Sequence, residues 1–409
     1  MSLLGAWALS LGAISAQAVA PSRPDSSWIQ LAIPPEATGS PVFALAVSPL
    51  DSGTVLLGTG KGTIYRSTDG GGSWTETAHG LGRAVLTIQY SPFKTDLVYA
   101  GTRGAGLWRS DDGGNTWVRQ ASIPSTTVRS LGFAKTLTLV GADGGLYSSR
   151  DGSTWAPYLS FAPLSLSALA VAAVNDPPKL LAGADASKGV EPLPLFVSQD
   201  GGSSWTNVKS LGSSTMIGAA AAGTPNGASR PLVVGTNAGA FLSNDGGASW
   251  AQAAGLPAID FTSAAYVAGH NDRFYVASDG GGTQSGGAWA TSDSGQTFRS
   301  LNSPIGAVTA LALSQEETPT VYTATFRPID HLVLLWSFHD NGATPVPPAS
   351  GVPAAPAPVT ASAAAPSEAE AFSVARLLGS QEAPYVGLGA LSLLILLTAL
   401  VLQVRRGRE

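Results

Sequence analysis

No cysteine occurs among the 409 residues, which removes disulfides, thiolate metal sites, iron–sulfur clusters and a cysteine nucleophile together. Histidine is nearly as scarce: His79, His270, His331 and His339 lie far apart in the chain, so a zinc or copper site is not indicated. No cofactor is implied. Charged residues are 12% of the chain, about half the usual share for a soluble domain. With 22 Lys+Arg against 27 Asp+Glu the formal net charge is −5, and so few cations argue against nucleic-acid binding, which needs a basic surface. Turn residues, by contrast, abound. The 49 glycines and 28 prolines suit a long chain of strands and turns rather than helices, and the length allows a substantial core.

Both ends carry hydrophobic runs. Residues 385–404 contain no charge, and twenty residues at about 1.5 Å each span a hydrocarbon core of about 30 Å, so a single transmembrane helix is expected there. Arg405, Arg406 and Arg408 follow directly, which places the tail, 405–409, on the cytoplasmic side and the bulk of the chain outside. The first 18 residues are apolar and include Ala16-Gln17-Ala18, a small-x-small cleavage pattern, so a signal peptide is expected over 1–18. Between the main domain and the span, residues 345–384 begin with seven prolines among alanines up to Pro366 and read as a stiff stalk. The expected location is therefore a cell membrane, crossed once.

A repeat organises the rest. Ser67-Thr-Asp69-Gly-Gly-Gly-Ser73-Trp74 returns as Ser110-Asp-Asp112-Gly-Gly-Asn-Thr116-Trp117 and, one residue shorter, as Ser149-Arg-Asp151-Gly-Ser-Thr-Trp155. It returns again around Asp200 and Trp205, around Asp245 and Trp250, and around Asp293 and Phe298, with a degenerate copy at Asp340. The aspartates are spaced by 43, 39, 49, 45, 48 and 47 residues. Around the second copy four short β-rich runs are visible, at 85–90, 96–100, 106–110 and 116–120, bounded by Gly, Pro, Asn and Asp. Innermost strands are expected to begin near Val42, Val85, Val128, Leu166, Met216, Phe261 and Val308. Four strands every ~45 residues, repeated radially, predict an all-β, seven-bladed propeller over residues 25–344. The last unit runs into Pro345, Pro347 and Pro348, which make a poor outer strand. Ser27-Trp28 copies the start of the other outer strands, so residues 27–32 are expected to supply the missing one.

Each copy resembles the Asp-box, the bacterial neuraminidase repeat shared by sialidases, sortilin-type receptors, xyloglucan-active glycosidases and photosystem II stability and assembly factors. In physical terms the Asp can accept hydrogen bonds from its own turn, the Gly allows positive φ, and the Trp packs beneath the hairpin. The Asp and aromatic residues of the boxes are thus expected to be structural. The sialidase resemblance would also require an Arg-Ile-Pro motif in the first unit. That string is absent, and Phe326-Arg327-Pro328 in the last unit is the nearest to it. Xyloglucan glycosidases place two carboxylates between two propellers, whereas one is expected here. Sortilin-type rings are larger and backed by a cysteine-rich module. Resemblance in length and repeat count is greatest to the photosystem II assembly factors, which implies an extracytoplasmic, non-catalytic role, although an anchor behind a Pro/Ala stalk departs from that family.

The loops on the rim away from the boxes carry Lys61, Arg83, Arg103 and Arg129 in the first three units, and Asp260, Asp279 and Asp330 in the last three. A dipolar face is expected, with the four cations contacting an acidic protein partner at or near the membrane. Two longer inserts, 186–191 and 280–286, would flank the same rim. The sequence thus points to a membrane-anchored, non-enzymatic binding or assembly scaffold. A glycoside hydrolase of sialidase or xyloglucanase type, or a carbohydrate-binding module, is the second reading, and it would require a pair of carboxylates about 5–9.5 Å apart in an aromatic-lined cleft.

Overall fold

A computed structural model describes residues 27–124, 126–173, 177–185, 193–227, 229–282 and 285–345. The expected signal peptide, transmembrane helix and basic tail, the stalk beyond its first residue, and the first loop insert lie outside these residues. The chain divides into two compact units, Met1–Pro356 and Ala357–Glu409, and all the strands described belong to the first. Among the described residues no helix is long and apolar enough to cross a membrane.

The structure is built of antiparallel strands. After β1 (Ile29–Gln30), the first repeat forms a sheet of β2 (Val42–Val47), β3 (Val55–Thr59), β4 (Ile64–Ser67) and β5 (Thr75–Ala78). The second forms β6 (Val85–Tyr90), β7 (Val98–Thr102), β8 (Leu107–Ser110) and β9 (Val118–Arg119). Next come β10 (Val128–Ala134), β11 (Leu137–Ser149), β12 (Ala156–Ala173), β13 (Lys179–Asp185), β14 (Leu195–Ser198) and β15 (Thr206–Asn207), all in one sheet. Two more four-stranded sheets follow. One is β16 (Ile217–Ala222), β17 (Leu232–Thr236), β18 (Gly239–Ser243) and β19 (Ala251–Gln252). The other is β20 (Ser263–Val267), β21 (His270–Ser278), β22 (Gly287–Thr291) and β23 (Arg299–Ser300). The last sheet comprises β24 (Val308–Leu313), β25 (Thr320–Arg327), β26 (Leu332–His339) and β1.

The expectation of seven separate four-stranded sheets is therefore corrected: there are five, plus one sheet of six strands. The cause is β12, which pairs with β11 in its first half and with β13 in its second. Ser165 marks the changeover, since it pairs with Asp143 of β11 and with Asp185 of β13. Two inner strands also start slightly later than expected, at Ile217 rather than Met216 and at Ser263 rather than Phe261.

Neighbouring sheets lock through a hole in each second strand. A Cβ on Gly58 would lie 2.5 Å from Val85, and one on Gly101 would lie 2.6 Å from Val128. Gly183 and Gly235 receive Ile217 and Phe261 in the same way, and Gly141 receives Leu166 within the six-stranded sheet. In the last two sheets the buried Ala277 and Ala324 occupy the equivalent register, and they share clusters with Val308 and Val42. The ring thus returns to its start.

Closure uses the amino-terminal strand, as expected from Ser27-Trp28. Ile29 pairs with Ser337 and Gln30 with Trp336. The Trp28 ring is 3% exposed, donates its Nε1–H to the Leu301 carbonyl at 2.8 Å and lies 4.5 Å from the Phe338 ring. Because so large a side chain is buried with its one donor satisfied, Trp28→Ala should cost about 3–5 kcal/mol in urea denaturation. Val118→Ala on the exposed edge strand β9 should cost under about 0.5 kcal/mol. Equal midpoints for the two variants would contradict closure by this strand.

Candidate functional site

Three places bear on function: the turns after each third strand, the opposite rim and the axial cavity. In the first turn Ser67 Oγ donates to Asp69 Oδ1 at 2.7 Å, and Asp69 accepts the Ser73 N–H at 2.9 Å and the Ser73 hydroxyl at 2.7 Å. The same Ser67 oxygen accepts the Gly71 N–H at 2.8 Å, where φ is +90°. Equivalent bonds recur around Asp112, Asp200, Asp245 and Asp293. The shorter turn at Asp151 retains the bonds from Ser149, Ser153 and Thr154. These donors favour the ionised carboxylate. Asp200 and Asp293 are held down to about 2, chiefly by the hydroxyls of Ser204 and Thr297. Asp151 lies well below the usual carboxylate range because of the N–H groups of Thr154 and Ser153.

The aromatic residue closing each turn reaches to varied partners. Trp74 Nε1 donates to the Ala32 carbonyl, Trp117 to the Thr77 hydroxyl and Trp155 to the Gln120 side chain. Trp205 bonds the Gly202 carbonyl of its own turn, Trp250 Nε1 is buried without a partner among the described residues, and Phe298 stacks edge-on against Phe274.

Asp340 departs from this pattern. It accepts only the Gly342 N–H from its own turn, at 2.8 Å. Its 4% exposed carboxylate instead takes Arg299 Nη2 on both oxygens, at 2.8 and 2.7 Å, and the Tyr275 hydroxyl at 2.6 Å. Phe338 stands where the other turns have Ser or Thr, so no local hydroxyl competes for the carboxylate. Asp340 is thus a tie to the β20–β23 sheet, and its grouping with the self-bonded aspartates is corrected.

On the opposite rim Lys61 lies in the β3–β4 hairpin, Arg83 in the link into β6 and Arg103 in the β7–β8 hairpin, all exposed. Backbone bonds knit these loops together. Leu81 N–H bonds the Gly62 carbonyl at 2.9 Å, Arg83 N–H the Arg103 carbonyl at 3.2 Å, and Arg103 N–H the Ala84 carbonyl at 2.8 Å. Arg129 does not join them. It is the second residue of β10, half-buried, and it lines the axial cavity with its Nε 3.6 Å from Asp143 Oδ1. A β-bulge, invisible in the spacing of cations along the chain, turns it inward. The expected acidic half of the face is also partly cancelled, since Asp330 pairs with Arg327 at 2.7 Å and Asp279 accepts the Gly281 N–H.

The axial cavity, of about 270 Å³, is lined by residues of β2, β6, β10, β12, β16 and β24 and by the start of β20. Its lining includes Arg129 and no carboxylate. Sequence reasoning missed this site, because the bulges that shape it exist only between paired strands.

No protein-family model matches the chain, and no curated protein matches it. Solved structures do. YCF48 from Cyanidioschyzon merolae has a TM-score of 0.54 at 16% identity, over 77% of this chain and 99% of that one. YCF48 bound to D1 peptide has a TM-score of 0.52 at 16% identity, over 78% and 97%. The WD40 repeats of RRP9 have a TM-score of 0.57 at 12% identity, over 77% and 99%. The fold is a β-propeller. At these identities the likeness extends to the fold alone.

In this propeller the turn bonds of the repeated Asp are local. Asp112→Ala removes an acceptor for Ser110, Asn115 and Thr116, and its exposure limits the expected loss to about 1 kcal/mol. Thermal and urea unfolding of the purified variant measure it. A loss beyond about 3 kcal/mol would mean that the turn carries more than its own hairpin.

Proposed function

We propose that this chain is a non-catalytic scaffold that binds a protein partner, with the rim bearing Lys61, Arg83 and Arg103 as its contact surface. The observation carrying this reading is the backbone-knit rim, which presents three exposed cations with no ion pair among the described residues. Preorganised loops lose little entropy on binding, and arginine suits bidentate contacts to carboxylates. The fold likeness to a YCF48 structure containing a D1 peptide fits a propeller that engages polypeptide. The reading takes the six-stranded sheet as two merged units, giving a ring of seven, and takes the turns as Asp-boxes.

The glycosidase alternative rests on one feature, a cavity of about 530 Å³ lined by Asp151, Asp200 and Tyr158. Both carboxylates are held well below the usual range by their own turns. A general acid needs its pKa raised, so neither residue is suited to protonate a leaving group.

Included in the proposal is the membrane setting read from residues 385–409, with the propeller outside and the arginine tail inside. Protease added to intact spheroplasts should remove the propeller and spare a C-terminal tag. Digestion of the tag would reverse the topology.

The combined variant Lys61→Glu, Arg83→Glu and Arg103→Glu tests the contact surface. Exposed pairs are individually worth roughly 0–1 kcal/mol, so the three must act together. Capture of the wild-type partners from detergent-solubilised native membranes should be abolished without a shift in melting temperature, and raised salt should weaken the wild-type complex. Unchanged capture would locate the interface elsewhere.

A further inference from the structure

The inner strands share an irregularity at their second residue. The register slips between Val42 and Ala44, Val85 and Thr87, Val128 and Ser130, Leu166 and Ala168, Ile217 and Ala219, and Val308 and Ala310. Such a bulge re-aims the extra residue and bends its strand. The residues skipped are Phe43, Leu86, Arg129, Ser167, Gly218 and Thr309, and the first five line the axial cavity. One bulge repeated around a ring builds a rim of side chains at the cavity mouth, on the side where the inner strands begin.

That mouth is asymmetric. Phe43, Leu86 and Arg129 come from three consecutive inner strands and place two apolar groups beside one cation. Ser167 and Gly218 continue the circle with small residues, which leave room opposite. Phe43 is 38% exposed although it lies at the cavity mouth.

Arg129 is held only by a loose ion pair. Its Nε is buried with no hydrogen-bond partner, and its guanidinium makes no hydrogen bond among the described residues. The nearest carboxylate, Asp143, stands 3.6 Å from Nε, beyond hydrogen-bond distance, and its Oδ1 already accepts the Ser165 hydroxyl at 2.7 Å. A buried donor without an acceptor is costly, and a guanidinium presents a planar fork that matches a carboxylate. Asp143 offsets part of the charge and disfavours multiply charged anions. A single carboxylate with an apolar group attached satisfies both the fork and the neighbouring Phe43 and Leu86.

We propose that the axial cavity binds a monocarboxylate carrying a short apolar group, with Arg129 holding the carboxylate and Phe43 and Leu86 covering the apolar part. The free carboxy-terminus of a polypeptide and a small organic acid share this chemistry. The site goes beyond the rim interface and stands without it, because Arg129 lies in the channel while Lys61, Arg83 and Arg103 lie on the loops.

Isothermal titration of the full-length protein in detergent tests the site, with three probes: acetyl-Ala-Ala-Leu as the free acid, the same peptide as its amide, and hexanoate. The free acid should bind saturably, and the amide should bind at least tenfold more weakly. Arg129→Gln should weaken the acid at least tenfold, and Phe43→Ser should weaken it severalfold, with melting temperatures close to wild type. Binding of hexanoate as tight as that of the peptide acid would assign the site to small acids, and selective peptide binding would assign it to chain termini. The rim triple variant should bind the acid within about threefold of wild type, so failure at the rim and failure in the channel are read separately. Equal affinity for acid and amide, unchanged affinity in a folded Arg129→Gln protein, or no saturable heat from either acid would overturn the proposal. If Arg129→Gln does not fold, the comparison of acid and amide on the wild type decides alone.

Discussion

The contact on which the molecule depends is the insertion of a bulky apolar residue at the entry to an inner run into a gap left by a glycine in the second strand of the preceding repeat. Val85 fills the space left by the missing Cβ of Gly58, and Val128 fills that left at Gly101. Leu166, Ile217 and Phe261 do the same at Gly141, Gly183 and Gly235. Each insertion brings one sheet edge against the next at a set distance and angle, because a rigid side chain in a backbone-walled hole has little freedom to slide. Repeated around a circle, this contact determines that the sheets splay radially and that the inner strands surround an axis. Where glycine gives way to Ala277 and Ala324 the gap narrows, yet Val308 and Val42 still pack beside these residues.

Two other devices act on this frame. The Ser-x-Asp turn supplies its own hydrogen bonds, so each third strand can reverse at the surface without help from neighbours. The groups left over, chiefly glycine carbonyls, are taken by side chains of adjacent sheets. Arg66 and Tyr90 bond the Gly113 carbonyl, and Tyr99 and Arg109 bond that of Gly152. At the last seam the chemistry inverts. There the aspartate itself crosses the boundary to Arg299 and Tyr275, and burial of Tyr275 beside that carboxylate pushes its hydroxyl far above the ordinary value. The same seam is sealed from the other side by Trp28, whose strand is the only one in the ring's sheets to come from the opposite end of the chain among the described residues.

Function follows from what the frame leaves uncommitted. The repeated turn aspartates, Asp340 apart, are committed to hydrogen bonds within their own loops. The rim loops, bound to one another through main-chain groups, can present Lys61, Arg83 and Arg103 without using those side chains for support. The bulges at the cavity mouth leave Arg129 without hydrogen bonds beside apolar neighbours.

Read alone, the chain was sufficient for the propeller class, the repeat length and the closing role of Trp28. Each of these rests on local chemistry repeated at a regular interval: a self-bonded turn, alternating apolar residues, and a proline-rich end that cannot extend a ladder. Glycine holes at 58, 101, 141, 183 and 235 were present in the sequence too, but a glycine inside a strand has meaning only once its neighbour across the seam is known. Tertiary structure alone decided that β12 would run unbroken through 156–173, merging two repeats into one sheet, because continuity depends on which strands flank it on both sides. It alone separated Arg129 from Arg83 and Arg103, since a bulge is a mismatch between paired strands and cannot be read from one strand by itself. It likewise redirected Asp340, whose partners Tyr275 and Arg299 are 65 and 41 residues away in the chain and meet it only because the ring brings adjacent sheets edge to edge.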